Sequence, residues 1–328
     1  MSKKLLNSLY QSRIISEIDF HFARLIVNLA VASKTAAGLA AALVSRATGA
    51  GAVCLDLKTL GGQPLPMGGG GEAAAACPEP ERWRRMLLES GVVGEPGEFR
   101  PLVLDPDNRL YLYRYWEYEQ ILAAAVAARA SAVLPEFDPP RVRASLDRLF
   151  PNRVESPVDW QRVAAAVALL KTLCIISGGP GSGKTTTVAR LLALLLEQGP
   201  TPSLRIQLAA PTGKAAARIS AAIRSARQDL DCRAAVKEAI PAQATTLHRL
   251  LGTLPGSPYF RHDAQNPLAV DVVVVDEASM VDLALMAKLV QAMPPAARLI
   301  LVGDKDQLAS VAVSYTHLRA HETALRIA

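Results

Sequence analysis

The sequence has no uninterrupted apolar stretch long enough to cross a bilayer. Its most apolar N-terminal region, 22–43, is broken by Arg24, Asn28 and Lys34, which excludes a membrane-spanning helix there. A secretory layout is also lacking, because Lys3 and Lys4 lead into Leu-Leu-Asn-Ser and then into charged sequence. A cytoplasmic protein is therefore expected, with no membrane partner. Cysteine is sparse: Cys54, Cys77, Cys174 and Cys232 are widely spaced and form no C-x-x-C pair. That excludes a zinc ribbon or disulfide frame and points to reduced thiols, with Cys174 as a small core residue. Internal repeats and a nuclease-type metal constellation are absent as well.

What is present is globular in composition. The chain has 328 residues, 50% hydrophobic and 20% charged, enough for one or two domains with sizeable cores. A net charge of +6 permits a polyanionic partner and is weak support for one.

The most specific segment is Gly178-Gly-Pro-Gly-Ser-Gly-Lys-Thr185, set between an apolar run (Leu173 to Ile176) and a helix-like run (Val188 to Leu196). It fits G-x-x-x-x-G-K-[ST] in a strand-loop-helix context and reads as the phosphate-binding loop of a nucleoside triphosphatase. Gly178, Gly179, Gly181 and Gly183, with Pro180 and Ser182, would turn backbone N–H groups around a polyphosphate. Lys184 would supply a charge to the β/γ-phosphates, and Thr185, followed by Thr186, would ligate Mg²⁺ at the positive end of the following helix. ATP and Mg²⁺ are the expected cofactors. A second apolar run, Val272 to Val275, ends in Asp276-Glu277. Here Asp276 is expected to hold Mg²⁺ and Glu277 to act as catalytic base. Paired acids after a strand also serve as a helix cap and first turn, a reading that the upstream loop disfavours.

Along the chain, residues 1 to about 60 read as helices with small apolar faces, and 61–80 as a Gly/Ala/Pro-rich loop. A helix carrying Trp83 follows. Leu102 to Leu104 and Leu110 to Tyr113 flank Asp105-Pro-Asp-Asn108 and predict a β-hairpin. Tyr111, Tyr113, Tyr115, Trp116 and Tyr118, interleaved with Arg109 and Arg114, read as hairpin core or a protein interface in preference to a base-stacking platform. Pro135, Pro139, Pro140, Pro151 and Pro157 mark a linker with a boundary near residue 155. Beyond it the pattern predicts Leu173–Ile176, helix 184–197, Leu204–Ala209, helix 213–224, Val272–Val275, helix 281–292 and Leu299–Val302: an α/β domain with a parallel sheet.

Further segments follow the loop in a telling order: Ala209-Ala-Pro-Thr-Gly-Lys-Ala-Ala-Ala-Arg-Ile219, Thr245 to Leu251, Val274 to Met280 and Val302-Gly-Asp-Lys-Asp-Gln-Leu-Ala-Ser-Val311. With Asp159-Trp-Gln upstream, the run resembles superfamily 1 DNA helicases and, closely, the RecD family, the alpha subunits of exodeoxyribonuclease V (the RecBCD helicase–nuclease). The resemblance is strong over 159–311 and looser before it. It implies a RecA-like P-loop domain preceded by a smaller, mainly helical N-terminal domain with a hairpin. It also implies 5′ to 3′ movement on DNA in double-strand-break repair, with DNA ends and RecB- and RecC-like subunits as partners.

By the same resemblance, Gln161 would read adenine. Pro211, Thr212, Gly213 and Lys214 would hold DNA phosphates, or cap a helix with the same residues. Thr246 and His248 would form a second DNA contact, although a lone histidine is as readily structural. Gln307 would sense the γ-phosphate as a catalytic residue and link it to the DNA-bound motifs.

The implied organisation is 1–120 partner-docking, 121–158 linker, 159–311 motor domain and 312–328 a tail outside the family pattern. His317, His321 and Glu322 in that tail are not taken as a metal site. A motor of this class has two RecA-like domains, and this chain is expected to lack the second, whose arginine fingers stabilise the transferring phosphoryl group. Weak nucleotide binding and poor hydrolysis are expected to follow. The alternative is a nucleotide-binding assembly or regulatory module without motor activity; a P-loop enzyme of small molecules would leave 211–214 and 246–248 unexplained.

Overall fold

The computed structural model describes residues 2–65, 76–132, 137–151, 158–179, 181–199, 204–304 and 324–326. The chain divides into two compact units, 1–120 and 121–328.

The first unit is built from α1 (Ser2–Gln11), α2 (Glu17–Leu29), α3 (Lys34–Gly49), β1 (Leu55–Asp56), α4 (Leu57–Leu60), α5 (Pro80–Glu89), β2 (Val93–Gly94), β3 (Leu102–Leu104), β4 (Arg109–Leu112) and the start of α6 (Tyr113–Ser131). Ser16 and Asp19 cap α2 reciprocally, each side chain accepting from the other's backbone N–H, which satisfies donors the helix leaves open. The small residues of α3 let α2 approach closely. At Gly38 a Cβ would stand 2.5 Å from Val27 Cγ2, so a larger residue there would push Val27 or its helix aside. Trp83 is buried, and its indole N–H donates to the Ala36 carbonyl at 3.4 Å.

A four-stranded sheet, ordered β1-β4-β3-β2, contains the expected hairpin. Asp105 Oδ1 accepts from the N–H groups of Asp107 and Arg109 at 2.9 and 2.8 Å, and Asn108 takes φ 67. The aromatic run does not lie together on this hairpin. Tyr111 is buried in β4, whereas Tyr113, Tyr115, Trp116 and Tyr118 lie on α6. The chain turns helical at Tyr113, where the strand alternation stops.

The second unit continues with α7 (Pro139–Leu149), α8 (Trp160–Leu170), β5 (Leu173–Ser177), α9 (Lys184–Gln198), β6 (Ile206–Ala210), α10 (Gly213–Gln228), α11 (Ala234–Ala239), β7 (Ala244–Thr246), α12 (Leu247–Leu251), β8 (Val272–Val275), α13 (Leu283–Ala292), β9 (Arg298–Gly303) and β10 (Ala324–Arg326). Its sheet runs β10-β5-β9-β8-β6-β7, with every pairing parallel. The mixed α/β fold with a parallel sheet is the one the sequence predicts.

All four valines of β8 are fully buried, as a strand covered on both faces requires. Cys174, Ile176, Leu208, Val272, Val274, Ile300 and Val302 share one core with α8, α9 and α10. Alternate residues of the same strands point to the opposite face. Residues 121–158, expected as a linker, hold all of α7, whose Leu146 and Leu149 enter this core with Phe150. Helix α13 begins at Leu283 rather than at 281, because Asp282 caps it and a 3-10 turn (Ala278–Met280) precedes it. The tail expected to lie outside the family pattern contributes β10 at the sheet edge.

Candidate nucleotide and nucleic-acid site

Parallel register brings the motifs to one end of the sheet. Ser177 pairs with Gly303, Val275 with Leu301, Ala209 with Val275, and Ala210 with Thr246. The segments after β5, β6, β7, β8 and β9 therefore leave from the same carboxyl edge, where open α/β sheets place ligands.

The phosphate loop opens directly after β5, with the Gly178 N–H donating to the Gly303 carbonyl at 3.3 Å. Gly181 and Gly183 take φ 75 and 79, left-handed values that glycine adopts at no steric cost. A Cβ at Gly179 or Gly181 would meet nothing within 4 Å, so the loop faces open space at both positions. At Gly183 a Cβ would stand 2.8 Å from Gln161 Nε2. Lys184 begins α9 and turns back over the loop, its Nζ donating to the Gly178 and Gly179 carbonyls at 2.5 and 2.8 Å. Thr185 and Thr186 stand in the first turn, while Thr187 is buried and donates to the Gly183 carbonyl at 3.0 Å.

Gln161 enters this group through α8. Asp159 caps that helix by accepting from the Gln161 and Arg162 N–H groups at 3.0 and 3.2 Å. The amide of Gln161 then donates to the Ser182 carbonyl at 3.2 Å.

Asp276 follows β8 and is buried at 8% exposure. Burial raises its carboxyl above the usual range, while the charges of Arg218 and Lys184 pull it down. Glu277 adopts φ 51, a left-handed conformation rare outside glycine. Its carboxylate pairs with the guanidinium of Arg218 on α10.

These residues fit a magnesium nucleotide. The loop is open to a polyphosphate, the Ser177 and Ser182 hydroxyls are buried without hydrogen-bond partners, and buried Asp276 lies within the field of Lys184. Among the described residues no cluster of three or more His, Cys, Asp or Glu side chains is placed to hold a metal ion. A cation here would thus take its remaining ligands from phosphate and water, as Mg²⁺ does.

Next along the edge, Pro211 to Lys214 open α10. Thr212 is its N-cap and accepts from the Ala215 N–H at 3.2 Å; Thr212, Gly213 and Lys214 are exposed. The cap function is therefore present, and the exposed Lys214 remains available to an anion. Thr246 likewise caps α12, accepting from the Arg249 N–H at 3.2 Å. His248 is exposed and packs edge-on against Phe260, ring centres 5.7 Å apart. The register of β6 and β7 sets these two motifs side by side.

Pro180, Gln307, His317, His321 and Glu322 lie outside the described residues. Arg218 was not singled out from the sequence, although it stands four residues after Lys214 and so shares its helix face.

Residues 11–111 match the family model for the N-terminal domain of RecBCD enzyme subunit RecD, and residues 161–313 match that of an AAA domain. RecBCD enzyme subunit RecD of Mycolicibacterium smegmatis is 43% identical over 309 residues, covering 92% of this chain and 51% of that protein. The Mycobacterium tuberculosis RecD subunit is 44% identical over 310 residues, covering 92% and 49%. An ATP-dependent RecD2 DNA helicase of Deinococcus radiodurans is 41% identical over 139 residues, 42% of this chain and 16% of that protein. The chain thus spans about half the length of the RecD subunits it matches along most of its own.

Proposed function

This chain belongs to the RecD family of RecBCD enzyme subunits, and from that premise we propose that it is the nucleotide-binding part of an ATP-driven 5′ to 3′ DNA helicase subunit. It acts in the cytoplasm on DNA ends during double-strand-break repair and recombination, beside RecB- and RecC-like subunits. Its N-terminal domain, 1–120, docks on those partners, and 159–311 forms the motor domain. The observation that carries the reading is the convergence of the loop 178–185, Asp276 and Glu277, and the segments 211–214 and 246–248 on one edge of the parallel sheet.

Each residue then has a chemical task. Backbone N–H groups of the loop receive the phosphates, and Lys184 leaves the Gly178 and Gly179 carbonyls for the β/γ-phosphate oxygens. Thr185 and Asp276 would hold Mg²⁺, which when bound would supply positive charge to the phosphates. Glu277 orients or deprotonates the attacking water, Gln161 reads the adenine edge from beside the loop, and Gln307 senses the γ-phosphate. Pro211, Thr212, Gly213, Lys214, Thr246 and His248 contact the DNA strand, with Lys214 supplying charge to its phosphates.

Equilibrium binding tests the reading. Lys184→Ala should weaken Mg·ATP binding at least tenfold and leave affinity for single-stranded DNA within a factor of about two. Equal ATP affinity in the variant would remove the phosphate-loop assignment. A chain that binds ATP but no DNA would favour an assembly module.

A further inference from the structure

The ion pair between Arg218 and Glu277 joins two elements that the proposed function assigns to different ligands. Arg218 lies on α10, which opens with the DNA-contacting segment, and Glu277 stands directly after Asp276 beyond the end of β8. Lys214 and Arg218 are four residues apart on that helix and therefore lie on one face. The side chain of Arg218 is 65% exposed even while paired, whereas that of Glu277 is 14% exposed. A polyanion reaching Lys214 thus finds a second accessible cation next to it. The guanidinium that holds the carboxylate is the group best suited to hold a phosphate, through the same forked donors.

The geometry points to Arg218 as a positioning residue that keeps the Glu277 carboxylate turned toward α10 and surrenders it when a nucleic-acid phosphate occupies the guanidinium. Strand binding then frees the carboxylate for the attacking water. Such coupling requires only that the strand make different contacts in the two states: it meets a free Arg218 in one and a neutralised Arg218 in the other. Removing the carboxylate must therefore favour the strand, whose phosphate no longer competes with it for the guanidinium. A surface ion pair without this role would change little beyond a small stability contribution. The inference rests on reading Glu277 as the water-orienting residue and α10 as a phosphate-contacting helix.

The test is a double-variant cycle on affinity for oligothymidylate, at fixed salt and without nucleotide. Glu277→Gln should tighten binding roughly fivefold. Arg218→Ala should weaken it, and Arg218→Ala with Glu277→Gln should bind like Arg218→Ala alone, because the carboxylate acts only through the arginine. Arg218→Lys should retain part of the tightening when combined with Glu277→Gln. Unchanged thermal midpoints confirm that the variants are folded. The inference is overturned if Glu277→Gln does not tighten binding, or tightens it equally with Arg218 absent, as loss of any negative charge would. If the parent chain binds no oligothymidylate, the DNA reading of α10 fails and this inference with it. ATP binding that depends on Lys184 separates that outcome from failure of the nucleotide site.

Discussion

Gln161 Nε2 donates to the Ser182 carbonyl at 3.2 Å, fastening the start of α8 to the phosphate loop. A Cβ at the neighbouring Gly183 would lie 2.8 Å from that same nitrogen and would displace the amide from its carbonyl. Gly183→Ala also forces a left-handed φ of 79 on alanine. The variant should bind ATP at least tenfold more weakly and lose about 1–2 kcal/mol of stability. Calorimetric titration and thermal unfolding would check both, and wild-type affinity would show that the loop does not need this geometry.

Lys214 and Thr212 divide the work of one segment. Thr212 caps α10, so Thr212→Val should cost about 1 kcal/mol of stability. Lys214→Ala should leave stability unchanged, weaken single-stranded DNA binding, and reduce the slope of log affinity against log salt by about 0.7. An unchanged salt slope would place the DNA phosphates elsewhere.

The strand, glycine turn and helix over 173–198 and the strands of the parallel sheet were legible because their signals are local. Glycine spacing marks the turn, and unbroken valine marks a strand buried on both faces. Less local features escaped. Pro139 and Pro140 read as linker, yet they occupy the first positions of α7, where proline's missing donor costs nothing. Strand β7 has three half-buried residues and one partner, β6, too little periodicity to register. The pairing of Arg218 with Glu277 spans 59 positions, and the fold alone brings those side chains together.

Cys174 lies inside β5, and burial pushes its thiol up to about 12. The thiolate that alkylating agents require is therefore scarce. Cys54 and Cys232 are only partly buried, so iodoacetamide should modify them in the native protein and reach Cys174 only on unfolding. Mass spectrometry of labelled peptides resolves this. Early labelling of Cys174 would contradict the packing of the sheet.

Asp271 accepts from the Arg205 side chain at 3.0 and 2.8 Å and from its backbone N–H at 2.8 Å. The hydrogen bond to the Arg205 side chain holds its carboxyl below the usual range. A carboxyl depressed in the folded state contributes stability above its unfolded value of about 3.9 and loses it as pH falls through the folded value. Asp271→Asn should consequently be less stable than the parent at neutral pH, with the gap closing below about pH 4. Denaturant titrations at several pH values would show it, and a gap independent of pH would deny the ion pair its role.

The most direct test of the account is ATP hydrolysis with and without single-stranded DNA. It would be measured on this chain and on the chain extended to the length of its RecD relatives, each with and without Lys184→Ala. The account predicts DNA-stimulated turnover in the extended form and its loss in the variant. Turnover indifferent to DNA, or untouched by Lys184→Ala, would contradict the assignment of a DNA motor.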